Sequence, residues 1–291
     1  MFLSKRITLI LGLIIFIISF FVVTNIFENN LVERSIYKNI GNKYIPFIKT
    51  TNFKIENKDR YLSYYNNNRN LDFEEIVTHV NIGLDKGFYN SVKNANLSKA
   101  NLVLINKFNK LNFNFKPNNL KTINSNNFIN GKRYNNMLAE EAKNAFEKMS
   151  NDAIKNNAPV YGQSAYRSYE TQKNIYNNEV KKNGIEIADS QSARPGFSEH
   201  QTGYAIDVSS TKKGNMLSFE KTKSFIWLKN NAHKYGFILR YPKNKENITG
   251  YIYEPWHYRF VGKEVANDMY NNYKDLTYDE YYYKFIEKKK G

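Results

Sequence analysis

The sequence predicts an α+β protein: a small antiparallel sheet flanked by helices, preceded by one N-terminal transmembrane helix. Helix-like and strand-like segments alternate irregularly, without the repeated strand–helix–strand order of a parallel sheet. No internal repeat is present. An uncharged apolar run, Ile7–Ile26, stands ahead of a polar remainder.

That run follows Lys5 and Arg6. As a helix it would span roughly 30 Å, the thickness of a bilayer's hydrocarbon core. The basic pair before it favours a cytoplasmic N-terminus and an exported remainder. A cleaved signal peptide is the competing reading, but its apolar region is usually shorter, and no small-x-small cleavage site follows. The expectation is a single-pass protein of the cell membrane. Residues 1–27 form its cytoplasmic end and anchor, 28–57 an extracytoplasmic stalk, and 58–291 the folded domain.

The folded part opens with "LDFEEIVTHVNIGLD", where Phe73, Ile76, Val77, Val80 and Leu84 share a helical face and Asp72 and Glu75 form a capping pair. "NLVLINK" (101–107) reads as a short buried strand, and 117–132 as an Asn-rich loop. A helix fits 137–153 through Leu138, Ala142, Ala145, Phe146, Met149 and Ala153. Residues 159–167 read as a strand, and Ser168 caps a helix that ends at Gly184. Arg167 then sits at a strand end and Gln172 in the next helix's first turns, a favourable place for an anion.

"YAIDVSS" alternates as a strand that projects Asp207 from its more polar face, with His200 across Gly203 in the lead-in. A helix over 219–235 stops at Gly236, strands fall near 237–241 and 250–254, and Thr277 and Glu280 cap a last helix.

The chain has no cysteine, which excludes disulfides, thiolate metal sites and a cysteine nucleophile. Any metal must therefore be held by nitrogen and oxygen. Of only four histidines, His200 lies seven residues before Asp207 and His257 three after Glu254. His200, Asp207 and His257 would make a three-ligand hydrolytic zinc set, and a turn at Pro255 could direct Glu254 toward the same water. Spacing alone leaves a second reading open, in which all of these are buried polar residues at strand ends. His79 and His233 fall inside helices and read as structural. The net charge of +16 suits an anionic environment such as a cell wall or lipid surface, and no nucleic-acid motif accompanies it.

Three motifs carry a resemblance. "SEHQTGYAID" (198–207) matches S-x-H-x-x-G-x-A-x-D, "EPWHYR" (254–259) matches E-x-W-H, and "SAYRSYETQ" (164–172) is similar to an S-x-Y-R-S segment. Together they resemble the VanY-type zinc D-alanyl-D-alanine carboxypeptidases over roughly residues 58–275. The resemblance implies Zn2+ on His200, Asp207 and His257, with Glu254 as general base. It implies Arg167 as a cationic substrate-binding and catalytic group, and Gln172 and Ser198 as helpers at the terminal carboxylate. Trp256 reads as packing. The implied substrate is a peptidoglycan stem peptide ending in D-alanine, cut by a monomeric, membrane-tethered enzyme. LD-carboxypeptidase action on tetrapeptide stems, or a non-catalytic zinc-stabilised wall-binding protein, are the alternatives.

Overall fold

The computed structural model describes residues 41–130, 135–214 and 218–288. The described residues divide into two compact units, one up to Val77 and one from Thr78. In the first unit, the short helix Ile45–Ile48 and the helix Lys58–Asn67 build a small aromatic core: Phe47 and Tyr61 stack with ring centroids 6.0 Å apart. The helix Phe73–Ile82 begins as expected, with Asp72 Oδ1 accepting from the Glu75 amide at 2.8 Å and Glu75 Oε2 from the Asp72 amide at 2.8 Å. The expected anchor helix lies outside the described residues. Among the described residues, no helix is long and apolar enough to cross a membrane.

The second unit is α+β, as the sequence predicts. Its strands are β1 (Lys93–Asn94), β2 (Asn109–Lys110), β3 (Leu120–Thr122), β4 (Met137–Ala139), β5 (Tyr161–Ser164), β6 (Ala205–Ser209), β7 (Phe237–Leu239) and β8 (His257–Phe260). β1 and β2 form a short parallel pair, and β3 and β4 an antiparallel one. The central sheet runs β5-β6-β8-β7, antiparallel throughout. Its apolar face carries Ile206, Val208, Tyr258 and Phe260, packed in one buried cluster with Ala142, Phe146, Met149 and Ala153 of the helix Glu140–Lys155. Each fully buried Ile, Val, Phe or Met side chain there contributes about 1.5–3 kcal/mol. Strand alternation then sends Ala205, Asp207, His257 and Arg259 to the opposite face.

Five expectations need correction. Residues 117–132 are not all loop: Leu120–Thr122 form β3, paired antiparallel with Met137–Ala139. Residues 101–107 are not a strand: a 3-10 turn over Leu97–Leu102 runs into irregular backbone in which Val103, Leu104 and Ile105 are buried. The Asn101 and Val103 carbonyls are taken by the Arg259 guanidinium at 2.8 Å each, so no strand ladder is needed. Residues 137–139 form β4 rather than a first helical turn, because three apolar residues fit either period and pairing with β3 decides. The helix over 219–235 is split into a 3-10 turn at Phe219–Lys221, an α-helix at Lys223–Asn231 and a second 3-10 turn at Ala232–Tyr235. No strand covers 250–254: Gly250 takes φ +75°, and the strand forms instead at His257–Phe260. The helix from Tyr169 to Asn183, its Ser168 cap and the Thr277–Glu280 capping box all stand where expected.

Gly203 closes the turn that delivers His200 into the sheet. Its φ is +75°, and an added Cβ would meet Leu120 Cδ2 at 2.9 Å and the Ala139 nitrogen at 3.1 Å. A residue with a side chain is strained in this left-handed conformation. Gly203→Ala is therefore expected to cost about 1–3 kcal/mol of unfolding free energy in urea titration; an unchanged midpoint would contradict the assigned strain.

Candidate active site

The candidate residues come together on the polar face of the central sheet. The β6–β8 register places Asp207 directly opposite His257. His200 reaches them from the 3-10 turn Glu199–Thr202 that leads into β6. His200 Nε2 lies 3.4 Å from Asp207 Oδ2, and His257 Nδ1 lies 3.2 Å from Asp207 Oδ1. Tetrahedral ligands at about 2.0–2.1 Å from zinc would stand roughly 3.3 Å apart. The three residues can each offer one ligand atom, all within 4.8 Å of one another.

The imidazoles are presented for a metal by their other nitrogens. His200 Nδ1 lies 2.6 Å from the Ala165 carbonyl, so its proton belongs there, and Nε2 is buried with no hydrogen-bond partner. His257 shows the opposite ring face: Nδ1 points at Asp207 and Nε2 at Glu199. The electrostatics also suit a cation. Burial opposes a charge on His257, yet the facing Asp207 and Glu199 carboxylates, with Glu254 nearby, push it up to about 9. The pocket thus draws positive charge onto that ring. Burial lowers His200 to about 4, with Arg167 adding to the effect. Burial also works against the Asp207 carboxylate, but the two imidazoles outweigh it and hold it well below the usual range. His200 and Asp207 thus stand in the neutral-imidazole and ionised-carboxylate forms that zinc requires, and a bound cation would take the place of the proton on His257. The donor set and the orphaned Nε2 fit zinc.

Glu254 sits beside this group. A turn in which the His257 amide donates to the Glu254 carbonyl at 3.1 Å aims both side chains into one cleft, with Glu254 Oε2 3.5 Å from His257 Nδ1. Burial raises the Glu254 carboxyl to about 7; Asp207 and Glu199 add to the rise, while His257 and Arg167 oppose it. A base poised near neutrality is suited to exchange protons at that pH.

The basic wall of the cleft follows β5. Arg167 hands its backbone N–H to the His200 carbonyl at 3.2 Å, and its Nη2 lies 3.8 Å from Asp207 Oδ2. Its Nε is buried without a hydrogen-bond partner. Gln172 and Ser198 line the same cleft. Gln172 Nε2 donates to Ser192 Oγ at 3.2 Å and the Ala193 carbonyl at 2.8 Å, which leaves its buried Oε1 as a free acceptor. Trp256 is half-buried against the apolar cluster, in keeping with a packing role. His79 lies 3.7 Å from Glu280, and His233 stacks on Tyr270 at 3.6 Å between ring centroids, both away from the cleft.

Six cleft residues were not anticipated from sequence: Gln191, Ser192, Ala193, Glu199, Tyr241 and Tyr251. Tyr241 stands 4.9 Å from the His257 ring and 4.9 Å from Tyr251, between centroids. Glu199 was visible in the sequence as an acid next to His200, but its depth was not.

A model of the VanY D-alanyl-D-alanine carboxypeptidase family matches residues 135–263, a span that contains every cleft residue named above. YodJ of Bacillus subtilis (strain 168), a protein assigned to the carboxypeptidases, is 43% identical over 185 residues, covering 63% of this chain and 67% of YodJ. A D-alanyl-D-alanine carboxypeptidase of Enterococcus faecium is 34% identical over 50% of this chain and 43% of its own length. Among solved structures, the LdcB LD-carboxypeptidase is similar with a TM-score of 0.61 and 40% identity, covering 67% of this chain and 91% of LdcB. The vancomycin-resistance D,D-pentapeptidase VanY of a VanB-type cassette, solved as a mutant with Zn(II), is similar with a TM-score of 0.52 and 28% identity, over 62% of this chain and 98% of that one.

If these three side chains hold the metal, Asp207→Ala should reduce bound zinc from one per chain to well below one after dialysis, read by elemental analysis. Retention of stoichiometric zinc would remove Asp207 from the ligand set.

Proposed function

Because the chain belongs to the VanY D-alanyl-D-alanine carboxypeptidase family and is a zinc metallopeptidase, we propose that it removes the C-terminal D-alanine from peptidoglycan stem peptides at the outer face of the cell membrane. The observation that carries this reading is one cleft that holds the His200–Asp207–His257 group, a buried carboxyl poised near neutrality and a basic wall. In it His200, Asp207 and His257 would hold Zn2+. When bound, zinc supplies Lewis acidity that polarises a carbonyl and lowers the pKa of water to about 7.

Glu254 takes a proton from the attacking water and later returns it to the nitrogen of the leaving D-alanine. Its burial beside Asp207 keeps its proton affinity high enough for both transfers. Arg167 receives the substrate's terminal carboxylate or supports negative charge developing on the scissile carbonyl. Selecting a free carboxylate in this way makes the enzyme a carboxypeptidase. Ser198 adds a hydroxyl donor beside it. Gln172, with both amide protons directed to residues 192 and 193, holds that wall in place and offers Oε1 to a substrate N–H. The apolar run Ile7–Ile26 anchors the chain to the membrane, and the enzyme acts as a monomer.

A second reading within the same chemistry is LD-carboxypeptidase action, favoured by the 40% identity to the LdcB enzyme against 28% to the D,D-pentapeptidase. Both need the same ligands and base, and the pocket beyond the scissile bond decides.

The test is to offer the zinc-loaded full chain an equimolar mixture of pentapeptide and tetrapeptide stems and follow products by mass spectrometry. Loss of one residue from the pentapeptide alone establishes the proposed D,D activity, and trimming of the tetrapeptide the L,D activity. If both remain intact, the substrate assignment fails. Glu254→Gln is expected to keep zinc and the fold while turnover falls about 10²–10⁴-fold; undiminished turnover would show that another group moves the proton.

A further inference from the structure

We infer that Glu199 is a positioning residue that fixes the tautomer and orientation of His257 so that Nδ1, not Nε2, meets the metal. The inference rests on the zinc reading above and extends it to a side chain outside the ligand set.

Glu199 begins the turn that carries His200, yet its own side chain lies at 0% exposure beneath His257. One carboxylate oxygen, Oε1, accepts from Arg240 Nε at 2.8 Å and from Arg259 Nη1 at 2.9 Å. The other, Oε2, has no hydrogen-bond partner and faces His257 Nε2 at 3.6 Å. His257 Nε2 also has none. An ionised carboxylate only accepts, so a neutral imidazole in front of it turns its single N–H toward it. The proton is then on Nε2, and the lone pair on Nδ1 points to Asp207. His200 solves the same problem with the opposite tautomer, using the Ala165 carbonyl. Such outer partners orient metal-binding imidazoles and raise their basicity.

The carboxylate is held so that it cannot turn away. Arg259 directs its remaining donors to the carbonyls of Phe260, Asn101 and Val103 at 2.8–3.0 Å. Arg240 Nη1 binds Asp279 Oδ2 at 2.6 Å, and Asp279 Oδ1 accepts from Asn106 Nδ2 at 2.7 Å. Two arginines and two carboxylates leave this buried cluster without net charge, so it does not repel an incoming cation. A structural role alone would be met by Oε1 and the two guanidinium groups; it gives no reason for Oε2 to be aimed at His257.

Glu199→Gln separates the two roles with little change in shape. The guanidinium donors require the amide oxygen, which leaves the amide N–H₂ facing Nε2 and drives the imidazole proton onto Nδ1. In chelator competition on the full chain, the variant is expected to bind zinc about 10–100-fold more weakly than wild type. In histidine-labelled wild type loaded with zinc, long-range ¹⁵N–¹H NMR is expected to find the His257 proton on Nε2 and the His200 proton on Nδ1. That readout does not depend on how the variant folds. Equal zinc affinity in a folded variant, or a wild-type His257 proton on Nδ1, overturns the positioning role while leaving the zinc enzyme intact. If wild type binds no zinc at all, the underlying reading fails first, and this inference falls with it.

Discussion

The register between β6 and β8 is the constraint on which the site depends. Asp207 opposite His257 is one rung of an antiparallel ladder whose neighbouring rung pairs Ile206 with Tyr258. Because successive side chains alternate between faces, the packing of Ile206, Val208 and Tyr258 into the apolar cluster also obliges Asp207 and His257 to face the cleft. A one-residue slip would bury the carboxylate in the core and expose the apolar set. The core therefore sets the geometry of the metal group, and Phe146 or Met149, far from any chemistry, contribute to it through that register.

What lies beneath the site is as polar as the site itself. Glu199, Arg240, Arg259 and Asp279 are all buried, a costly arrangement that remains stable only when every charge is paired and hydrogen-bonded. The residues involved come from the His200 turn, the end of β7, β8 and the terminal helix Tyr278–Tyr281. Segments distant in sequence are thereby locked to the cleft floor. The irregular stretch 101–105 takes part as well, through its carbonyls on Arg259. Low local polarisability makes each such contact strong, and also makes the loss of any one expensive.

Much of this was legible in the sequence where the signal was local. Ser168, the Asp72–Glu75 pair and the Thr277–Glu280 box announced helix starts through side-chain chemistry that acts within three residues, and each caps as expected. The strand holding Asp207 and the turn joining Glu254 to His257 were local too. The errors fell where partners distant in sequence decide. Residues 101–107 are apolar enough for a strand, but an arginine from β8 satisfies their backbone. Met137–Ala139 pairs with β3, although its three residues fit a helical face equally well. The position of Glu199 could not be read locally either, since its burial is set by Arg240 and Arg259, 41 and 60 residues away.

In the proposed site, one zinc ion lies between two imidazoles of opposite tautomer and one carboxylate. Anomalous diffraction at the zinc edge from crystals of the zinc-loaded protein tests it directly. The predicted result is a single peak at about 2.0–2.2 Å from His200 Nε2, an Asp207 carboxylate oxygen and His257 Nδ1. A peak elsewhere on the chain, or ligation through His257 Nε2, would contradict it.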